Sequence, residues 1–194
     1  VRLILASASP RRADLLRTAG FTFDVVTADV CEAPRRGESP VGYVVRLAGE
    51  KAMAVARRHT GATVIGADTA VVLGRELMGK PASDEEAARM LRSLSGGWHE
   101  VLTGVAICTA GDIAHDVETT RVRFRNLDAA EVAWYVASGE GRDKAGAYAI
   151  QGLASRFVDR IDGSYSNVVG LPVSLVWTLL KRLGWTVAAA DPPH

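Results

Sequence analysis

Residues 63–81 read TVIGADTAVVLGRELMGKP, and the rest of the chain is organised around them. Val64, Ile65, Val71, Val72 and Leu73 form a nearly unbroken apolar, β-favouring run, the pattern of a buried strand. Gly74-Arg75 supplies a two-residue hairpin turn, because glycine accepts the left-handed backbone that such turns require. A turn centred there sets Thr69 opposite Lys80 and Asp68 opposite Pro81. An acid inside this run needs a reason, and two are open: a partly buried ion pair with Lys80, worth little once desolvation is counted, or a functional carboxylate.

Composition narrows the choice of class. A chain of 194 residues is long enough for one soluble domain with a substantial core, expected over residues 1–187, with AAADPPH at 188–194 expected to be disordered. A net charge of +1 gives no broad nucleic-acid or membrane surface, so any anion must be bound locally. Cys31 and Cys108 match no metal or redox spacing, and the four histidines are scattered. The opening apolar run is too short for a signal peptide or membrane span, and a cytoplasmic protein is the expectation.

The first element, RLILAS, reads as a core strand running into a helix capped by Ser9, begun by Pro10 and stopped at Gly20, with Leu15 and Leu16 inward. Arg11 and Arg12 stand in its first turn, where the helix dipole disfavours cations. They make sense there if an anion such as triphosphate sits against the free N–H groups, the alternative being that both point to solvent. FTFDVVTADV reads as a strand delivering Asp29 and Glu32 into a loop, where carboxylates can ligate Mg²⁺ or merely be solvated.

A helix from Ser39-Pro40 carries the stripe Val41, Val44, Val45, Ala48, Ala52 and Val55, with Lys51 at its edge, its ammonium reaching either a neighbouring site or water. Ser83 with Glu86 opens a structural helix. Two strands joined at Gly111-Asp112, a helix over 129–137 and a closing helix over 173–183 follow. Gln151 carries both donors and an acceptor, the equipment to read a base edge. Strands and helices are interspersed throughout, which predicts an α/β (α+β) domain with a mixed sheet and a cleft.

LASASPRRADLL, GADTAVVLG, GKP, LSGGWHEVLTGVA, DKAGAYAIQG and GSYSNVVGLP, in that order, resemble the Maf family of nucleoside triphosphate pyrophosphatases over nearly the whole chain. The resemblance implies a long mixed sheet with flanking helices and a deep cleft between two lobes, as in the inosine triphosphate pyrophosphatases. It implies cleavage between the α and β phosphates with Mg²⁺ or Mn²⁺. It makes Asp68 the proton acceptor and, with Glu32, a metal-side carboxylate. Ser7, Arg11, Arg12, Lys51 and Lys80 become the phosphate-binding set, with Lys80 beside the catalytic acids, and Arg11, Thr69 and Gln151 mark the branch that favours dTTP and UTP.

The alternatives are a 7-methyl-GTP or non-canonical purine pyrophosphatase, and a non-catalytic nucleotide-binding regulator of septum formation and cell division. The partner expected is a nucleoside triphosphate; a homodimer is compatible with the sequence. Gly49 inside a helix and Ala149 before IQG, where glycine is frequent, depart from the family pattern.

Overall fold

The computed structural model describes residues 2–186; the tail expected at 188–194 lies outside them. In chain order the elements are β1 (Leu3–Ala6), α1 (Pro10–Thr18), β2 (Asp24–Val25), α2 (Pro40–Ala56), β3 (Thr63–Leu73), β4 (Glu76–Met78) and α3 (Asp84–Leu94). There follow β5 (Trp98–Cys108), β6 (Ile113–Phe124), α4 (Ala129–Ser138), two short 3-10 turns (Ala145–Ala147 and Leu153–Arg156), β7 (Val158–Asp162), α5 (Tyr165–Val169) and α6 (Val173–Arg182). The seven strands form one sheet in the order β2-β1-β3-β5-β6-β7, with β4 pairing β3. The sheet is mixed, as expected: β1 runs parallel to β2 and β3, while β3–β4 and β6–β7 are antiparallel.

The described residues group into two compact units. One takes the residues up to Asp68, Thr103–Glu118 and those from Gly170 on; the other takes Thr69–Leu102 and Thr119–Val169. In the first unit, strand alternation sorts the core into two clusters. Leu3, Leu5, Ile65, Ala67, Val105 and Ile107 pack with Ala13 and Leu16 of α1 and Val176, Leu179 and Leu180 of α6. Ile4, Ala6, Val64, Ala106 and Cys108 pack instead with Ala48, Ala52 and Val55 of α2. By the same alternation Gly66 and Asp68 fall on the α2 side of β3.

The two glycines on that side are there for closeness. A Cβ built on Gly66 would fall on the carbonyl of Ala48, and one on Gly104 of β5 on the carbonyl of Val44. Their absence lets the backbone of α2 lie directly against the sheet. The buried face of α2 is therefore Val44, Leu47, Ala48, Lys51, Ala52 and Val55. Val41 is exposed and Val45 half-buried, so Leu47 takes the place that the sequence pattern assigned to them.

The second unit is built on α3, which packs against α4 and the first 3-10 turn. His99, Phe124, Tyr148, Phe157 and Tyr135 meet edge to face within it. His99 is buried; its Nε2 lies 2.8 Å from the Tyr148 hydroxyl, and burial pulls the imidazole down to about 4.

Further readings need correction, beginning with α1, where Ser9 stands at the N-cap but its side chain makes no capping hydrogen bond. The strand expected over FTFDVVTADV is only Asp24–Val25, an exposed edge pair limited by the short β1 it borders. Strand β7 and helix α5 were not anticipated, because five-residue elements amid glycines give no resolvable period. The capping pair on α3 is half formed: Ser83 accepts from Glu86 N–H, but the Glu86 carboxylate accepts from Ala82 N–H rather than from Ser83. No helix of the described residues is long and apolar enough to cross a membrane.

A Cβ on Gly49, mid-helix in α2, meets nothing within 4 Å. Gly49→Ala should stabilise the protein by about 0.5–1 kcal/mol, and Gly66→Ala should destabilise it by about 1–3 kcal/mol or more; urea unfolding checks both. His99 supplies a pH test. Its folded pKa lies below its unfolded value, so the unfolded chain binds more protons and stability falls as pH drops from about 6.5 toward about 4. His99→Gln should remove that part of the slope in melts taken across this range.

Candidate active site

Asp68 ends the first of the three segments of the first unit and sits on the α2 side of β3, 8% exposed. Facing it is Lys51, on the buried stripe of α2 between Ala48 and Val55 and also 8% exposed. Lys51 Nζ donates to Asp68 Oδ1 at 2.6 Å and contacts Glu32 Oε1 at 2.7 Å. One ammonium thus bridges two carboxylates, one buried and one half-open to solvent. The ammonium that meets Asp68 is that of Lys51.

Burial pushes the Asp68 carboxyl above its ordinary value, and Lys51 and then Arg12 pull it back. The upward push prevails, because a strand-borne acid against apolar neighbours loses more hydration than one shared ammonium returns.

Arg12 comes from the first turn of α1. Its Nε donates to the Gly170 carbonyl at 2.7 Å and its Nη1 to the Ala67 carbonyl at 2.8 Å, with Ser7 Oγ at 3.4 Å. Burial lowers the guanidinium from its ordinary value while Asp68 and Glu32 raise it, and a guanidinium keeps its proton in either case. Arg12 is therefore both a positive charge beside the acids and a pin joining β3 to the segment before α6. Ser7 is buried and its hydroxyl accepts from Ser9 N–H, which shapes the entry to α1. Arg11 is half-buried in the same turn and makes no ion pair among the described residues.

The loop bearing Glu32 is braced from α2. Tyr43 O–H donates to the Glu32 carbonyl at 3.0 Å and Arg46 Nη2 to the Ala33 carbonyl at 3.3 Å. Arg46 also forks onto Glu38, Nε to Oε1 at 2.6 Å and Nη2 to Oε2 at 2.7 Å, which holds Glu38 down to about 2. Sequence reading missed this brace. Its only trace was the i,i+4 spacing of Arg46 and Glu50, which usually means an exposed ion pair. Asp29, read beside Glu32, is exposed and takes no part in the Lys51 cluster.

The structure gathers Ser7, Arg12, Glu32, Lys51 and Asp68 in the first unit. Thr69, Lys80 and Gln151 belong to the second. The β3–β4 register, Val71 to Met78 through Leu73 to Glu76, is the one expected from the Gly74-Arg75 turn, but pairing ends at Met78, two residues short of Lys80. Lys80 and Gln151 are exposed and Thr69 is half-buried.

Among the described residues, no group of three or more His, Cys, Asp and Glu side chains could hold a metal ion by itself. Two hard carboxylates focused on one cationic atom nevertheless suit Mg²⁺ or Mn²⁺ of the kind completed by water and substrate phosphate rather than by a protein cage.

A family model described as Maf-like protein matches residues 2–183. The dTTP/UTP pyrophosphatase of Pelotomaculum thermopropionicum is 51% identical over 189 residues, covering 95% of this chain and 98% of that protein. That of Myxococcus xanthus is 53% identical over 182 residues, covering 94% and 92%. Among solved structures, the Staphylococcus aureus Ham1 protein aligns with a TM-score of 0.49 at 15% identity, over 94% of this chain and 100% of that chain.

Removing Lys51 leaves Asp68 buried without its ammonium. Lys51→Met should cost about 3–5 kcal/mol at neutral pH, the usual cost of breaking a buried pair. The sign follows from the raised carboxyl pKa: the deficit grows as pH rises through the carboxylate range and shrinks in acid, where Asp68 is neutral. Adding Asp68→Asn to Lys51→Met should restore much of the stability, read by denaturant unfolding at two pH values.

Proposed function

The chain belongs to the Maf family, and from that premise we propose that it is a pyrophosphatase that hydrolyses dTTP and UTP to the monophosphate and pyrophosphate. The observation that carries the reading is the buried Asp68 held by Lys51 beside Glu32, with Arg12, from a first helical turn that holds two arginines and no acid, bonded to the adjoining Ala67 carbonyl. A pure nucleotide binder gains nothing from two carboxylates next to repelling phosphates. A hydrolase needs one to accept a proton.

Asp68 is the proton acceptor. It removes a proton from the water that attacks the α-phosphorus, so a new P–O bond forms as the bridging bond from Pα to the β-phosphate oxygen breaks. Pyrophosphate leaves with that electron pair. The ionised form of Asp68 is the working one, so turnover falls as pH drops through its raised pKa.

Lys51, Arg12 and the N–H groups opening α1 stabilise the negative charge of the phosphates as it shifts onto the leaving group. Ser7 holds the turn that presents those N–H groups, and Lys80 joins the phosphate-binding set. Glu32 and Asp68 are the residues that would hold a divalent cation, which when bound supplies further neutralisation of the phosphate oxygens. Arg11, Thr69 and Gln151 read the base and sugar. The activity fits a cytoplasmic role in clearing unwanted nucleotides.

The test is product analysis with Mg²⁺ or Mn²⁺ over dTTP, UTP, dCTP, ITP and 7-methyl-GTP. Monophosphate and pyrophosphate from dTTP and UTP are expected, with turnover reduced by about 10²–10⁴ in a folded Asp68→Asn variant. Release of inorganic phosphate, or near-parent turnover in that variant, would sink the assignment.

A further inference from the structure

Gln151 sits at the tip of a tight turn whose ends are both held from one place. Gly152 N–H donates to the Ala149 carbonyl at 3.1 Å and closes the turn, with Ile150 buried and Gln151 exposed between them. On the entry side, Ala149 N–H donates to the Tyr135 hydroxyl at 3.1 Å. On the exit side, Leu153 N–H donates to Glu140 Oε2 at 2.9 Å, with Ala154 N–H 3.5 Å from Oε1. The two clamps are one unit, because Tyr135 O–H donates to Glu140 Oε1 at 3.0 Å.

Tyr135 is 1% exposed and anchored in α4 against the Phe157 ring, so the clamp is tied to a helix rather than to another loop. Gly152 completes the fit: a Cβ there would fall on the Glu140 carboxylate. Its backbone, at φ −118, does not itself require glycine, so the position is small to leave room for the acid.

We infer that Glu140 and Tyr135 are positioning residues that hold the turn presenting Gln151 and so set nucleobase selectivity rather than phosphate chemistry. The inference rests on reading Gln151 as a base-contacting residue. A carboxylate that accepts from a hydroxyl and from backbone N–H groups at once fixes a turn more firmly than neutral hydrogen bonds do. The entry end then takes its orientation from α4 through Tyr135, and the exit end from Glu140, just past the helix C-cap and itself held by the Tyr135 hydroxyl. The structural cost of losing the clamp falls on a surface turn, whereas its functional cost falls on the direction of one amide side chain.

The experiment compares kcat and KM for dTTP and dCTP in Tyr135→Phe, Glu140→Gln and Gln151→Ala, each verified as folded by its thermal melt. Tyr135→Phe and Glu140→Gln should raise KM for dTTP by about tenfold, the loss of one charge-assisted hydrogen bond, and shrink the dTTP-over-dCTP preference alike. The kcat for dTTP should stay within about twofold, as for a loss of binding common to ground and transition states.

Gly152→Ala should reproduce the Glu140→Gln profile. Combined with Glu140→Ala, it should add nothing to that variant alone, because the group it strikes is gone. If Gln151→Ala erases base preference while Tyr135→Phe and Glu140→Gln keep the parent profile, or lose kcat equally on every nucleotide, the positioning role is overturned and the reading of Gln151 stands. If Gln151→Ala itself keeps the parent preference, the reading of Gln151 fails and the inference with it. Should Glu140→Gln not fold, Tyr135→Phe, which removes one oxygen and keeps the ring, decides the matter.

Discussion

One ammonium between two carboxylates is the interaction on which the candidate site depends. Asp68 is carried on a strand whose neighbours are apolar, and an isolated carboxylate there would be driven to its neutral form. Lys51 keeps that from being complete, and it can do so only because α2 lies against the sheet at Gly66 and Gly104. The charge arrangement is thus a consequence of packing: without the close helix–strand approach, the lysine stem would not carry its ammonium to the acid.

The same helix governs the second carboxylate. From one turn of α2, Tyr43 and Arg46 hold the backbone of the loop that carries Glu32; from the next, Lys51 meets its side chain. Backbone and side chain are therefore fixed by a single rigid element. In the proposed reaction this matters because a proton acceptor and its neighbouring charges are useful only when held in place before substrate arrives. Arg12 extends the principle to α1, where its bonds to the Ala67 and Gly170 carbonyls place a cation beside the acids.

Much of this was legible in residue order. The nearly unbroken apolar run and the Gly74-Arg75 turn gave β3, β4 and their register, and Pro10 and Pro40 marked the starts of two helices correctly. Asp68, Glu32 and Lys51 were singled out separately, but their meeting was not foreseen from spacing. Residues 32, 51 and 68 lie on a loop, a helix and a strand, and the distances between them are set by the glycine contacts of α2 with the sheet and by the Tyr43 and Arg46 brace on the loop. The local argument offered Lys80 because a hairpin is the one tertiary contact that a short sequence window can predict. The bracing by Arg46 and the clamp by Glu140 were illegible for a related reason: each is a charged side chain answering to backbone groups, and backbone groups carry no signature in sequence.

The contact between Gly66 and the Ala48 carbonyl has a consequence for how this chain can vary in nature. Glycine is the one residue without a Cβ, so every missense change at that codon lengthens the distance between helix and strand. Even a chemically mild replacement is then consequential, and tolerance at position 66 is set by the room available rather than by polarity or charge. A lineage could lose the Lys51–Asp68 pairing through a change from glycine to alanine, with both residues still encoded.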